Sequence, residues 1–228
     1  MDQEENRRDL TRDVWVELSK LLPPSPVIFD LGSHGMEEAQ ILLPMLTGRT
    51  RWHGFEANPE CCTLLKRNVI PNLGKKADIV LSEAAVSHSV GSATLYRSRK
   101  INGQPWTPSS SIRKPQRATE YHPWMTFDEG ITVPTITLDG YCRDNNIRHV
   151  DLLKMDIQGA EIDAIRGGPN TFLQTSYVLT EVCDGEEYVG QVGLKGLLAE
   201  MPGNWVLVER FINDALLKNI GSGERLPG

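Results

Sequence analysis

The sequence contains Val27-Ile-Phe-Asp-Leu-Gly-Ser-His-Gly35, a short apolar run that breaks at two glycines. Further along, a second short run, His53-Gly-Phe-Glu-Ala-Asn-Pro59, ends on the carboxylate of Glu56. In an open α/β sheet, glycines let the backbone approach a ligand where the first strand ends. An acid at the end of the second strand can accept hydrogen bonds from both hydroxyls of a ribose. The two stretches therefore predict a site for a nucleoside cofactor.

The residues after the glycines discriminate between cofactors. A dinucleotide fingerprint places a third glycine against the pyrophosphate at a helix N-terminus, whereas here Gly35 is followed by Met36, Glu37 and Glu38. Two carboxylates at that helix start would repel a pyrophosphate but tolerate a cation such as S-adenosylmethionine (SAM). The pattern favours SAM over NAD, and a plain strand-to-helix turn is the structural alternative.

The bulk properties limit the class of protein. A chain of 228 residues is long enough for one large α/β domain. A net charge of -6 and a pI near 5.4 argue against a general affinity for nucleic acid, so we expect small-molecule partners. The four cysteines lack metal-ligand or disulfide spacing, and no apolar run approaches a membrane span. We therefore expect a cytoplasmic protein without a membrane partner, and the sequence leaves the oligomeric state open.

The hydrophobic pattern predicts two parts, an N-terminal leader helix within residues 1–26 and an α/β domain over residues 27–228. In the leader, Leu10, Val14, Leu18 and Leu21 share one helical face over residues 9–22. In the domain, strands are predicted at residues 27–31, 51–56, 79–86, 150–155, 177–182, 205–210 and 215–218, with an extra strand at 91–97. Helices are predicted at residues 37–46, 58–69, 138–145, 160–165 and 194–201. The fold class is a Rossmann-like α/β sheet of seven strands, mostly parallel, closed by an antiparallel C-terminal hairpin.

The segment from about residue 98 to 132 differs from the rest of the domain. It is rich in Gly, Pro and Ser, carries a cluster of basic residues, and lacks periodicity. It also contains Trp106, Tyr121, Trp124 and Phe127, and aromatic residues are scarce in disordered linkers. A long irregular insertion of this kind is predicted to be a lid over the site.

The richest chemistry follows the fourth main strand. Lys154 and Asp156 lie two residues apart, so they project from one face of the strand at its carboxyl end, where the ligand crevice lies. Glu181 ends the next strand in the same way. The alternatives are that Lys154 and Asp156 simply pair with each other, and that Glu161 caps the following helix.

These segments together resemble the FkbM family of SAM-dependent methyltransferases. The motifs that carry the resemblance are Phe29-Asp-Leu-Gly-Ser-His-Gly35, Phe55-Glu-Ala-Asn-Pro59, Ala85-Val-Ser87, and Thr137-Leu-Asp139 with Asp151-Leu-Leu-Lys-Met-Asp-Ile-Gln-Gly-Ala-Glu161. A serine run at residues 109–111 is also similar to a serine patch found in many members. The chain departs from the usual pattern at His34, where asparagine is frequent, and at Gln158, where glutamate is frequent.

The resemblance implies that a methyl group passes from SAM to a hydroxyl of a sugar or other small natural product. Asp156 is the expected base, Glu181 the second candidate, and Lys154 is expected to orient the acceptor oxygen. The expected cofactor-binding residues are Asp30, Gly32, Ser33, His34, Gly35, Glu56, Ala57, Asn58, Glu83, Ala84 and Ala85. Glu56 would bind the ribose, the glycine loop would pass under the methionine portion, and residues 83–85 would edge the adenine.

Four other interpretations stay open. The same carboxylates with Asp184 could form a divalent-cation site, which we do not expect. An NAD-dependent oxidoreductase on the same sheet and a SAM-binding module without activity are the alternative functions. An RNA methyltransferase is a weaker option because basic residues cluster only in residues 98–132.

Overall fold

A computed structural model describes residues 9–183 and 185–221. In chain order the strands are β1 (Val27–Leu31), β2 (Thr50–Phe55), β3 (Ala77–Ser82), β4 (Ala85–Val86), β5 (Gly91–Leu95), β6 (Ser98–Lys100), β7 (Met125–Phe127), β8 (Ile131–Ile136), β9 (Val150–Met155), β10 (Thr175–Glu181), β11 (Trp205–Arg210) and β12 (Asp214–Asn219). The α-helices are α1 (Arg12–Leu21), α2 (Glu37–Leu42), α3 (Pro59–Leu64), α4 (Ile70–Leu73), α5 (Ala118–Tyr121), α6 (Leu138–Asp144), α7 (Glu161–Gly167), α8 (Pro169–Leu173) and α9 (Leu194–Glu200).

The main sheet has seven strands in the order β11-β12-β10-β9-β1-β2-β3. Strands β3, β2, β1, β9 and β10 are parallel, and β12 and β11 continue the sheet antiparallel to them and to each other. This confirms the predicted fold class. The chain order reverses between β1 and β9, so their carboxyl ends open a crevice of the kind that binds ligands in doubly wound sheets.

Both faces of the sheet are covered by helices. Phe29 and Leu153 point to a core shared with α6 to α9, whereas their neighbours Ile28 and Leu152 point to a core shared with α1, α2 and α4. Every residue of β1 and of β9 is buried, because these strands lie between two helical layers. That double burial explains why both strands stand out in the sequence as largely apolar runs.

Several predicted boundaries were wrong. The helix expected to end before Pro71 continues through a π-helical turn at Leu65–Val69 into α4, which contains Pro71 in its first turn. In the leader, Trp15 is buried together with Val14 and Leu18, whereas Leu21 is 44% exposed at the helix end. Residues 1–8 of the predicted leader lie outside the described residues.

The segment from residue 79 to 136 contains more secondary structure than its composition suggested. The predicted strand 79–86 is split, since β3 joins the main sheet and β4 pairs with β8 in a second sheet, β4-β8-β5. Within the predicted lid, β6 and β7 form an antiparallel pair, with α5 between them in the chain. Strand β8 was not predicted because Pro134 interrupts its pattern, and α8 was not predicted because a helix of five residues is too short to show a period.

We expect Leu153→Ala to lower the free energy of unfolding by about 2–5 kcal/mol, because the side chain is fully buried at the centre of β9 and its loss leaves a cavity. Leu64→Ala removes the same atoms from a side chain that is 57% exposed, so the change should stay within about 0.5 kcal/mol. Chemical denaturation of both variants measures the difference. Equal losses in the two variants would contradict the placement of β9 at the centre of the core.

Candidate active site

The loop after β1 is folded tightly against the ends of its two neighbours. Gly32 has φ +81°, and a Cβ at that position would overlap the carbonyl oxygen of Asp156, so only glycine fits. The amides of Gly32 and Ser33 both donate to the carbonyl oxygen of Phe55, at 3.0 and 3.1 Å. His34 continues the turn with φ 40°. The predicted glycine turn therefore lies at the crevice between β1 and β9.

Glu56 is held at the end of β2 by backbone donors. The amide of His34 donates to its Oε2 at 2.9 Å, and the amide of Asn58 donates to its Oε1 at 2.7 Å. Burial raises the pKa of Glu56, and these hydrogen bonds lower it in part. Asn58 itself is buried, and its side chain caps α3 by accepting from the amide of Glu60 at 3.0 Å. The carboxylate of Glu56 is therefore fixed at a cavity edge before any ligand binds.

The first cavity lies over the ends of β1, β2 and β9 and has a lining of two chemical kinds. Its charged lining consists of Lys154 and the carboxylates of Glu37, Glu38, Glu56 and Asp156. Its apolar lining includes Phe55, Ala84, Ala85, Val86, Leu95 and Ile112. Ala57 and Gly32 also line this cavity. Such a site suits a ligand with a cationic end and a flat apolar end.

The predicted lid closes one side of the first cavity. Thr107, Ser110 and Ser111 line it, and Thr107 Oγ1 lies 3.1 Å from His34 Nε2. The hydroxyl of Ser111 donates to the carbonyl oxygen of Gln158 at 2.7 Å. The serines were singled out only through the family resemblance, and Thr107 was not predicted, because a lone threonine in an irregular segment carries no pattern.

Lys154 is buried at the end of β9 among three carboxylates. Its Nζ lies 3.3 Å from Glu38, 3.5 Å from Asp156 and 3.8 Å from Asp30. Burial lowers the pKa of Lys154, but the charges of the surrounding carboxylates outweigh that effect and raise it. Burial raises the pKa of Asp30 to about 7, although the charge of Lys154 opposes the shift. The pairing of Lys154 with Asp156, the alternative noted from the sequence, is therefore observed, and a role in orienting an acceptor stays a prediction.

Asp156 and Glu181 are brought together by the side chain of Gln158. The amide nitrogen of Gln158 donates to Asp156 Oδ1 at 2.8 Å and to Glu181 Oε2 at 2.7 Å. Burial, and then the charge of Asp156, raise the pKa of Glu181 well above its usual range. The two acids predicted from separate strands thus form one unit, and Gln158 is a site residue whose role was not predicted from the sequence.

A second cavity adjoins the first and shares Asp156 and Pro108 with it. Its other walls are largely polar and include His122, Gln158, Glu181, Cys183, Glu187 and Asn213. Asp156 therefore stands at the junction of a half-apolar cavity and a polar one.

Some predicted residues lie away from both cavities. The carboxylate of Glu83 pairs with Lys66 at 2.9 Å on the surface, because the chain turns outward between β3 and β4. Ser33 and Gly35 shape the loop rather than line a cavity, and the Ser33 hydroxyl donates to the carbonyl oxygen of Asp30 at 2.9 Å. Glu161 caps backbone amides, accepting from Ile157 at 3.2 Å, and burial raises its pKa to about 7.

The basic cluster of the predicted lid is largely neutralised. Its arginines pair with acids, in the pairs Arg97–Glu60, Arg97–Asp128, Arg99–Glu60, Arg113–Asp163 and Arg117–Glu120. Trp106 packs edge-on against Trp124, with ring centroids 4.9 Å apart. The segment therefore presents structural ion pairs and aromatic packing rather than a basic surface for anions.

The cation-site interpretation gains no support from the geometry. Within residues 9–183 and 185–221, no group of three or more His, Cys, Asp and Glu side chains is arranged to hold a metal ion. Asp184 lies outside the described residues. No helix in the described part of the chain is both long and apolar enough to span a membrane.

We expect Lys154→Met to destabilise the protein more at pH 8 than at pH 5. Asp30 has a folded-state pKa of about 7 against 3.8 when unfolded, so its contribution to stability is full at low pH and is lost as the pH rises through 7. The charge of Lys154 lowers the pKa of Asp30, so without the ammonium that pKa rises further, and the neighbouring carboxylates must then take up protons or stay unpaired as the pH rises, at a cost of about 3–5 kcal/mol. Unfolding of the variant as a function of pH measures this, with the surface variant Lys66→Met as control. A loss that is equal at both pH values would contradict the charge balance described here.

The chain is similar in sequence to known methyltransferases. Residues 32–208 match the model of the methyltransferase FkbM domain. The chain is 33% identical over 207 residues to the 2-O-methyltransferase NoeI of Sinorhizobium fredii, covering 89% of this chain and 83% of that protein.

Two solved structures share the fold. One is a methyltransferase FkbM from Methylobacillus flagellatus, with a TM-score of 0.55, 12% identity, and coverage of 92% of this chain; our chain spans 48% of that longer chain. The other is a putative rRNA-methylase from Clostridium thermocellum, with a TM-score of 0.52, 8% identity, and coverage of 96% and 99% of the two chains. At these identities the structures show the fold alone. The family match spans most of the sequence, and the chain therefore belongs to the FkbM family of methyltransferases.

Proposed function

We propose that this methyltransferase transfers the methyl group of SAM to a hydroxyl oxygen of a sugar or similar small natural product. The observation that carries the proposal is the pair of adjoining cavities that meet at Asp156. The relative NoeI is named a 2-O-methyltransferase, which supports an oxygen acceptor.

The first cavity fits SAM by its chemistry. The carboxylates of Glu37 and Glu38 suit the cationic methionine portion, while the wall of Ala84, Ala85 and Val86 suits the adenine. Glu56 has lone pairs left for the ribose hydroxyls, since each of its oxygens accepts one backbone hydrogen bond. Asp30, Ser33, Gly35 and Asn58 support this site from behind, and Glu83 is left out of it.

The same cavity does not suit a dinucleotide. Among the described residues that line it, Lys154 is the only lysine or arginine, and its ammonium is engaged by three carboxylates. A pyrophosphate would therefore meet negative charge without a balancing cation. The oxidoreductase alternative is not favoured.

The second cavity is the proposed acceptor site. Hydroxyl groups exchange hydrogen bonds readily with the amide and carboxyl groups that line it, among them Gln158, Glu181 and Asn213. Asp156 lies where an acceptor there would approach the methyl donor. The neutralised arginines of the lid and the carboxylates of this cavity favour a neutral acceptor over a phosphorylated one.

In the proposed reaction, the residues of this chain position the acceptor hydroxyl against the methyl donor and remove its proton. When bound, SAM supplies a methyl group on a positive sulfur, which an alcohol oxygen attacks in line. Asp156 accepts the proton of the acceptor hydroxyl, and the ammonium of Lys154, 3.5 Å away, keeps Asp156 oriented. Glu181 is less suited as the base because burial and the charge of Asp156 raise its pKa, which favours its protonated form over the ionised form that a base needs.

We expect Glu56→Ala to weaken SAM binding by more than about tenfold, because charge-assisted hydrogen bonds to the ribose are lost. Calorimetry with SAM measures the change, and NAD serves as the ligand that should show no binding to either protein. Glu83→Ala is the matched control, since Glu83 pairs with Lys66 on the surface. An unchanged affinity in Glu56→Ala would refute the assignment of the first cavity to SAM.

We expect Asp156→Asn to bind SAM normally but to lose turnover by about 100-fold or more, because an amide cannot accept the proton. Formation of the demethylated cofactor in a screen of neutral glycosides measures turnover, and phosphorylated glycosides test the charge preference. Asp144→Asn, at a side chain that is 69% exposed, is the control. Wild-type rates in Asp156→Asn would remove it as the base, and SAM binding without turnover of any acceptor would favour the inactive binding module.

A further inference from the structure

We propose that Gln158 is a positioning residue that holds Asp156 and Glu181 in one arrangement by donating a hydrogen bond to each of them. The inference rests on the proposed function, because it assigns Asp156 as the base of that reaction. It also concerns a property of the fold, the protonation of two neighbouring acids, which is measurable without any substrate.

The hydrogen bonds of Gln158 identify which carboxyl oxygens of Asp156 and Glu181 act as acceptors. Its amide nitrogen has two hydrogens and no acceptor capacity, and it lies 2.8 Å from Asp156 Oδ1 and 2.7 Å from Glu181 Oε2. Both oxygens must therefore act as acceptors. A proton bound by Glu181 is consequently directed to its other oxygen, Oε1, and Asp156 is left to accept a proton from an acceptor hydroxyl.

The orientation of the Gln158 amide is itself determined by its surroundings. On its other side, Gln158 Oε1 lies 3.1 Å from the hydroxyl of Tyr188, whose single hydrogen is shared between that oxygen and the carbonyl oxygen of Ser109 at 2.7 Å, so the two acids rather than Tyr188 decide the orientation. A flipped amide would place Oε1 against Asp156 and Glu181, so that the ionised carboxylate of Asp156 would face another acceptor. The observed orientation is the one in which each carboxyl group meets a donor.

The backbone of Gln158 is also constrained. Its φ is 54°, a left-handed conformation that a non-glycine residue rarely adopts. The hydroxyl of Ser111 holds the carbonyl oxygen of Gln158 at 2.7 Å, and Gly159 follows with φ 89°, where a Cβ would crowd the ring of Tyr188. Ser111 and Tyr188 therefore hold Gln158 in a left-handed conformation in which its side chain contacts the two acids.

The charges around this unit make an added carboxylate costly. The titratable groups that face it are Lys154, Asp30, Glu38, Glu161, Cys183, Glu187, His122, Tyr188 and Asp214, with Arg210 beside Asp214. Lys154 already compensates three carboxylates. The carboxyl group introduced by Gln158→Glu would therefore have a raised pKa, which favours its protonated form.

The first test is the pH profile of turnover in Gln158→Glu. The acidic limb of the kcat profile should move to higher pH by about one unit or more. The reason is that a third carboxylate close to Asp156 raises the pKa of this proposed base. Gln158→Met, which removes the donor without adding charge, should lower kcat with a smaller shift, and both variants should bind SAM within about twofold of the wild type. A profile in Gln158→Glu that keeps its acidic limb would overturn the proposal, as would a loss of SAM affinity that accounts for the loss of rate.

The second test needs no activity. If the carboxyl group introduced by Gln158→Glu has a folded-state pKa above its unfolded value, the stability that it contributes is full at low pH and is lost as the pH rises. The Tm of Gln158→Glu should thus fall further below that of the wild type between pH 5 and pH 8, and Gln158→Met should show a nearly constant difference. A constant difference in Gln158→Glu would overturn the inference, whereas absent turnover with the expected Tm trend would reject the proposed function alone.

Discussion

The ammonium of Lys154, buried between the ends of β1 and β9, is the interaction on which the site depends. It compensates Asp30 from the neighbouring strand, Glu38 from the following helix and Asp156 from the end of its own strand. A single buried carboxylate is expensive, and several are tolerated only with a cation among them. By lying at the point where the strand order reverses, this cation allows an acidic crevice to form inside an otherwise apolar sheet.

The acidic crevice in turn separates the two halves of the proposed reaction. Glu56 is held by backbone amides at the side of the first cavity, and Asp156 stands where that cavity meets the second. Gln158 then links Asp156 to Glu181 and connects both acids to the lid through Ser111. In the proposed reaction, the short stretch after β9 therefore takes part in cofactor binding, proton removal and the packing of the lid.

The centre of the sheet was predictable from the sequence, whereas its periphery was not. Strands β1 and β9 are buried on both faces, so their apolar runs are unmistakable, and the turn at Gly32 can be recognised because no other residue fits beside Asp156. Strand β8 contains a proline, which interrupts the alternation of apolar and polar residues by which a strand is recognised. It also lies in a small separate sheet outside the main one. The lid contact of Thr107 with His34 joins residues 73 positions apart and leaves no local trace.

Local pattern was sufficient for the fold class, the glycine turn, the carboxylate of Glu56 at the end of β2, and the presence of acids at the ends of β9 and β10. These features depend on strand burial and chain reversal, which act through residues close in the sequence. The direction of Glu83 toward Lys66, the neutralised arginines of the lid and the bridge made by Gln158 became evident only in three dimensions. Each of these depends on which distant charge or donor comes within hydrogen-bonding distance, and that is set by the packing of separate elements rather than by any local spacing.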